Sequence, residues 1–499
     1  MIGRFDGKKQ GDLGGIKPVF MLVEPKSRPP RSQSTRSSEE TGKPEWSKGV
    51  QEGGDAMTEP TENKPEAVPE RATRDGEILL RWSWVEPRVW TERMLTALES
   101  GVKGGRWFSL IDKVHPVRTL DAAFHQVAAN KGAAGVDHVT VDGFKLRLDE
   151  NLKKLSEDLR NGNYQPQQIR RHYIPKPGTQ EKRPLGIPTV RDRVVQTALQ
   201  MVLEPIFERD FAEHSYGFRP GRGCKDGLRR VEQLLEAGYT HIVDADLKSY
   251  FDTIPHDRLM SLVGQKVSDG CVLNLIEMFL KQGILDGSRE WTPEEGSPQG
   301  AVISPLLSNI YLNPLDHLMA QRGFEMVRYA DDFVIMCRSP EDAARALALV
   351  QEWTAEAGLK LHPTKTKIID AGKDAFDFLG YRFEGSTRYP RPKSMQKIKD
   401  TIRAKTKRTS GESLTKIIND LRPTLRGWFE YFKHSRRSTF SNLDGWIRKR
   451  LRSLLRKRQG KRGCGRGSDH QRWPNAFFAK RGLYSLKTAH ALARQPSLR

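Results

Sequence analysis

The sequence has few cysteines, lacks long apolar stretches and has no hydrophobic leader. Its four cysteines, Cys224, Cys271, Cys337 and Cys464, are far apart in 499 residues. No pair forms a CxxC motif, and four thiols are too few for a disulfide framework, so neither a zinc ribbon nor a stapled secreted domain is expected. No run of about 18 apolar residues occurs, which argues against a membrane-spanning helix. The N-terminus, MIGRFDGKKQGDLGG, has no apolar core of the kind a secretory signal needs. These absences point to a reduced, cytoplasmic protein.

Basic charge, by contrast, is abundant. The formal net charge is +22 and the sequence pI about 9.8. From residue 401 onward, 26 Lys and Arg face 5 Asp and Glu, a net of +21. Nearly the whole excess therefore lies in the last fifth of the chain. That asymmetry marks where a phosphate backbone would be gripped.

Residues 1–85 are rich in Pro, Ser, Glu and Lys and poor in apolar side chains. Such composition cannot bury enough surface to offset chain entropy, so a disordered tail is expected there. Globular patterning starts near Trp82. Helical periodicity covers 119–130 and 143–160, and RRHYIPKPGTQEKRPLGIP reads as a basic hairpin followed by a helix over 191–207. His241-Ile242-Val243-Asp244-Ala245-Asp246 alternates into a strand ending in a carboxylate. Two apolar runs flank Ala330-Asp331-Asp332, the pattern of a hairpin with acids at its tip. Ser339-Pro340 then caps a helix that Gly358 ends. Strand, helix, hairpin, helix, strand is the order of a ferredoxin-like sheet. Beyond residue 394 the pattern is helical. A stripe including Leu421, Leu425, Trp428 and Phe432 precedes a strongly basic helix over 442–459.

The chemistry centres on Asp331 and Asp332. An acidic pair in a solvated turn is ordinary, but here the flanks are apolar. Buried, uncompensated carboxylates are costly without a cation. Adjacent acids diverge, so a shared ion calls for a third acid on a neighbouring strand, and Asp246 supplies it. Two Mg²⁺ ions about 3.5–4 Å apart, held by carboxylates and substrate phosphates, are the usual device for nucleotidyl transfer.

In this order the motifs resemble those of group II intron reverse transcriptase/maturases, from about Trp107 to Ser485. They are Gly132-Ala133-Ala134-Gly135-Val136-Asp137; Ile174-Pro175-Lys176 with Arg183-Pro184-Leu185-Gly186; Ser215-Tyr216-Gly217-Phe218-Arg219-Pro220; Asp246-Leu247-Lys248-Ser249-Tyr250-Phe251-Asp252; Gly296-Ser297-Pro298-Gln299-Gly300; Tyr329 to Asp332; Leu361 to Lys367; and Phe378-Leu379-Gly380-Tyr381. The segment with Leu425-Arg426-Gly427-Trp428 resembles the family's thumb. The resemblance implies an α+β right-hand polymerase, with fingers and a ferredoxin-like palm over 86–392. A helical thumb/maturase domain over 393–457 and a basic nucleic-acid-binding segment over 458–499 would follow.

It also implies roles. Asp246, Asp331 and Asp332, with the Leu247 backbone carbonyl, would hold two Mg²⁺ ions, with Mn²⁺ a possible substitute. Lys176, Arg183, Gln299 and Lys365 would contact the incoming nucleotide, and Phe251 would be the wall that excludes a ribose 2′-hydroxyl. Asp244 and Asp252 read as structural. Partners would be intron RNA, an RNA template with a DNA primer, target DNA and dNTPs, with no membrane, in a bacterial cytoplasmic ribonucleoprotein. Some relatives carry an HNH endonuclease with paired cysteines. Here Cys464 stands alone, so neither endonuclease activity nor zinc is expected. A non-enzymatic splicing factor on the same fold would have lost the acids, and all three are present. A retron, diversity-generating or CRISPR-linked enzyme is the nearest alternative. The Tyr216–Pro220 insertion, the Ser-Pro-Gln-Gly turn and Trp428 favour the intron type.

Overall fold

A computed structural model describes residues 80–175, 182–465 and 467–494. Most of the expected N-terminal tail, residues 1–79, lies outside that range. Trp82 and Val85 are already buried in the main core, so the boundary expected at 85 falls inside packed structure. The Trp82 indole donates to Glu99 at 2.7 Å and the Trp90 indole to the Met201 carbonyl at 3.0 Å. The first bond closes the N-terminal layer on itself, and the second fastens it to the fingers.

The fingers combine helices with a small sheet. Helix Val117–Asn130 packs against both Val190–Glu208 and Leu148–Arg160. The single helix expected over 143–160 is two, Val141–Lys145 and Leu148–Arg160, because Arg147 leaves helical backbone angles. The basic hairpin forms as β1 (Ile169–Pro175) and β2 (Lys182–Ile187), antiparallel with Ile174 opposite Arg183. Strand β3 (His241–Asp246) belongs to the palm. The short hairpin β4 (Ile284–Asp286) and β5 (Arg289–Trp291) extends the fingers sheet to the order β2-β1-β4-β5.

The palm sheet contains β3, β6 (Glu325–Tyr329), β7 (Asp332–Cys337) and β8 (Lys367–Asp370), in the order β6-β7-β3-β8. Every pairing is antiparallel, the ferredoxin-like arrangement expected from the sequence. Its period-2 alternation sends Val243, Ala245, Phe333 and Ile335 into the main core with the fingers helices. Ile242, Val334 and Met336 face the other way, against β9 (Phe376–Phe378), β10 (Tyr381–Glu384) and helix Cys224–Glu236. Asp244, Asp246 and Asp332 continue this second face. One alternating strand thus changes from aliphatic to acidic as it nears the cleft. β10 pairs in turn with β11 (Thr387–Pro390).

The thumb begins with helix Pro392–Lys405, followed by Leu414–Phe432 and Arg437–Arg458. Reciprocal bonds tie it to the palm: Tyr381 Oη donates to the Tyr431 carbonyl and Tyr431 Oη to the Leu379 carbonyl, each at 2.6 Å. The C-terminal segment is not a separate unit. Trp473, Phe478 and Leu486 are buried in the same core as Leu425 and Leu451. Trp473 and Phe478, in the segment expected to bind nucleic acid, therefore fill a core.

Candidate active site

The acidic hairpin forms as expected, with a tighter tip. Tyr329 pairs with Asp332, leaving Ala330 and Asp331 as the connecting residues, and Ala330 adopts φ +59°. A side chain with a Cβ seldom holds that backbone without support from its surroundings. Asp332 also pairs across β7 with Asp246 on β3, so register alone brings two of the three acids side by side.

The support comes from a buried network that the sequence did not reveal. Arg328, fully buried, donates through Nε to Asp316 at 2.7 Å. Its Nη1 donates to Asn309 Oδ1 and to the Ala330 carbonyl, both at 2.9 Å. Asn309 Nδ2 in turn donates to the Gly217 carbonyl at 2.8 Å. The Tyr216 amide donates to the Arg328 carbonyl at 2.8 Å. A Cβ on Gly217 would lie 2.2 Å from the Ala330 nitrogen. The Ser215–Pro220 insertion is thus the floor on which the acidic turn rests. Helix Ser304–Gln321 supplies Asn309 and Asp316. The sequence signal for this network was an arginine between Val327 and Tyr329 in the strand that leads into the acids.

The acids repel one another. Burial, then the neighbouring Asp331 and Asp244, push Asp332 up to about 7, although it remains open to the cleft. Burial chiefly, and Asp246 next among the groups that raise it, also hold Asp331 above the ordinary carboxylate range. Arg183 and Arg328 oppose that rise. Asp244, read from sequence as structural, joins the cluster electrostatically: burial lifts it to about 6, with Lys367 opposing and Asp246 adding. Carboxylates crowded and desolvated in this way favour a cation. Among the described residues no three His, Cys, Asp or Glu side chains converge tightly on one point. The Lys365 ammonium instead sits 2.8 Å from Asp246 Oδ2, balancing that carboxylate. The donor set is all oxygen and anionic, which suits Mg²⁺.

The remaining expected residues divide. Arg183 lies on β2 and its charge reaches Asp331. Phe251 is buried beside Tyr250, with ring centroids 5.4 Å apart, and its carbonyl accepts the Ser297 amide at 2.6 Å. This bond joins the expected wall to the Pro-Gln-Gly turn. In that turn the Gln299 carbonyl accepts the Gly186 amide at 2.6 Å, occupying the free edge of β2, and Gln299 Nε2 reaches Asp252 at 3.4 Å. Leu247 follows Asp246 and bridges to Leu361. Lys176 falls outside the described residues.

A strand-borne acid beside a two-acid hairpin, on a ferredoxin-like palm between a basic fingers hairpin and a helical thumb, defines a right-hand nucleic-acid polymerase. The family described as "Reverse transcriptase (RNA-dependent DNA polymerase)" matches residues 174–383, and "Group II intron, maturase-specific domain" matches 395–473. Protein YkfC of Escherichia coli K12 is 36% identical over 332 residues, covering 58% of this chain and 86% of that protein. Group II intron-encoded protein LtrA of Lactococcus lactis subsp. cremoris is 40% identical over 201 residues, 40% of this chain but only 33% of LtrA's length. Among solved structures, the partial Cas6-RT-Cas1–Cas2 complex aligns with TM-score 0.32 and 23% identity over 50% of this chain and 41% of that one. The chain belongs to the group II intron-encoded reverse transcriptase/maturase family, with a reverse transcriptase domain followed by a maturase-specific domain.

Proposed function

We propose that the chain extends a DNA primer on an RNA template with Asp246, Asp331 and Asp332 as its catalytic carboxylates. The observation that carries this reading is the carboxylate cluster, with Asp332 facing Asp246 across two strands and Asp331 beside them in the supported turn. Two Mg²⁺ ions held by these acids and the Leu247 carbonyl would supply charge neutralisation for the triphosphate and a more acidic primer 3′-hydroxyl. The chain's own residues do the positioning. Arg183, with Lys176, grips the triphosphate. Gln299, fixed through its carbonyl to Gly186, meets the nucleotide. Phe251, held through Ser297, closes the pocket on the sugar's 2′ side. Lys365 neutralises Asp246 until substrate phosphate competes for its ammonium.

The thumb and its C-terminal helices are proposed to hold intron RNA by shape and phosphate contacts. This would assist splicing and, with target DNA, intron mobility. The maturase unit then runs from 393 through the last described helix, Leu486–Ala493, because they share one core. Among the described residues no helix is long and apolar enough to cross a membrane.

The test is primer extension on an RNA template, with and without Mg²⁺, beside Asp331→Ala. The parent should make metal-dependent cDNA. The variant should make none while binding RNA and supporting splicing normally. A folded, RNA-binding parent that makes no cDNA would overturn the polymerase reading.

A further inference from the structure

Two chain segments meet beside Phe251. Residues 251–255 lead into helix His256–Gly264, and residues 295–297 lead into the Pro-Gln-Gly turn. The Gly296 amide donates to the Ile254 carbonyl at 2.8 Å, the Ser297 amide to the Phe251 carbonyl at 2.6 Å, and Pro255 bridges to Glu295. Gly296 permits this close approach. It holds φ +88°, and a Cβ there would lie 2.8 Å from the Asp252 carbonyl carbon. A residue with a side chain is ill suited to either condition.

His256 fastens the same junction through its side chain. It opens the helix and is 6% exposed. Its Nε2 lies 2.7 Å from the Gly296 carbonyl oxygen. A carbonyl only accepts, so Nε2 carries the hydrogen and donates. Nδ1 is buried without a partner among the described residues. An imidazole with one nitrogen unanswered is a costly way to fill space, and a leucine would fill it without that cost. What the histidine adds is the bond to Gly296. The Gly296 carbonyl and the Ser297 amide belong to one planar peptide unit and point to opposite sides of it. His256 holds one side of that unit, and the Phe251 carbonyl holds the other. Without His256, glycine's freedom would let the unit rotate, and Phe251 would lose its tie.

We propose that His256 is a positioning residue for sugar selection. By fixing the Gly296–Ser297 peptide it anchors the backbone of Phe251, and so sets how firmly the chain excludes a ribose 2′-hydroxyl. This role rests on the reading of Phe251 as the wall on the sugar's 2′ side. A wall excludes an added hydroxyl only as far as it resists displacement. The Phe251 ring rests against Tyr250, which is itself fixed by a 2.8 Å bond from its Oη to the Ser308 carbonyl. Removing the imidazole leaves that packing in place and frees the backbone that carries the ring.

The test is single-nucleotide primer extension by the full chain with Mg²⁺ on an RNA template, comparing dCTP with CTP opposite a template guanine. The readout is the ratio of the two kcat/KM values. Both are measured on one preparation, so any unfolded fraction cancels from the ratio. His256→Leu fills the space without donating, and should lower the ratio about tenfold, the effect of one lost hydrogen bond, chiefly by admitting CTP. His256→Gln offers an N–H from a similar reach and should recover most of the parental ratio. Phe251→Ala should lower the ratio at least as far, and adding His256→Leu to it should lower it little further. A parental ratio in His256→Leu, ratios lowered alike by Leu and Gln, or a His256→Leu loss that adds in full to that of Phe251→Ala would each overturn the role of His256. Phe251→Ala at the parental ratio would refute the wall and this role with it. A lowered ratio in Phe251→Ala beside a parental one in His256→Leu would refute His256 alone and leave the wall standing.

Discussion

Gly217 shows how a single residue can govern chemistry it does not perform. Its missing side chain admits the Ala330 nitrogen, so Gly217→Ala forces the acidic turn away from the Ser215–Pro220 floor. Displacing a reactive group by about 1 Å can cost about 100-fold in rate. Gly217→Ala should lower cDNA synthesis by at least about tenfold in steady-state primer extension while thumb-mediated RNA binding stays normal. A parental rate would show that the turn tolerates the shift. The acids themselves were legible because a carboxylate pair between apolar flanks demands an explanation in sequence alone. Arg328, Asn309 and Asp316 were not, because a buried ion pair is a property of three dimensions and leaves no periodicity. Glu204 is another such residue. Burial, opposed by Gln200 and aided by Glu208, lifts it to about 7. The folded state then holds its proton more tightly than the unfolded state, and the associated stability is lost as pH rises from about 4.5 through about 7. Glu204→Gln should therefore raise the melting temperature clearly at pH 8 and little at pH 5. The ceiling is about 3 kcal/mol, reduced by the side chain's partial exposure. An equal effect at both pH values would refute the linkage.

At the scale of elements, periodicity carried most of the reading. The 3.6-residue stripe through Leu421, Leu425 and Phe432 gave the thumb helix, although Pro423 sits within it. The two-residue alternation gave β3 and β7. What periodicity could not show is how the C-terminal helix docks. Asp444, 3% exposed on helix Arg437–Arg458, accepts Ser485 Oγ at 3.0 Å and the Leu486 and Lys487 amides at 3.1 Å each. An acid from one helix thus caps the start of another, answering its unsatisfied amides and its dipole. Removing a cap of this kind costs about 1–2 kcal/mol, and leaving buried amides unpaired adds to it. Asp444→Ala should release Leu486–Ala493, seen as faster amide hydrogen exchange confined to that helix. Unchanged protection there would mean that the apolar contacts of Leu486 suffice to dock it.

For the whole molecule, the +22 charge pointed to a polyanionic partner but overstated how many cations face it. In the basic helix, Arg452 is buried and donates to the Trp473 carbonyl and Asn475, both at 2.9 Å. Arg456 pairs with Asp469 at 2.8 Å, and Arg450 donates to Thr406 Oγ1, also at 2.8 Å. Arg452 and Arg456 hold the C-terminal segment onto the thumb, and Arg450 ties the basic helix to the end of helix Pro392–Lys405. Lys449 and Lys457 on the same helix are exposed. A composition count cannot separate the two groups, because the distinction lies in which side of the helix meets protein. Salt dependence can. Each phosphate contact contributes roughly 0.7–0.9 to the slope of log affinity against log salt concentration. Neutralising Lys449 and Lys457 to Gln should shallow the slope for RNA binding by up to about 2 and leave the melting temperature nearly unchanged. Arg452→Gln should do the reverse, lowering the melting temperature while a protein kept folded at low temperature retains its slope. If Arg452→Gln flattened the salt dependence as the lysine pair does, the division between bracing and RNA-facing cations would fail, and the basic helix would have to reorganise when RNA binds.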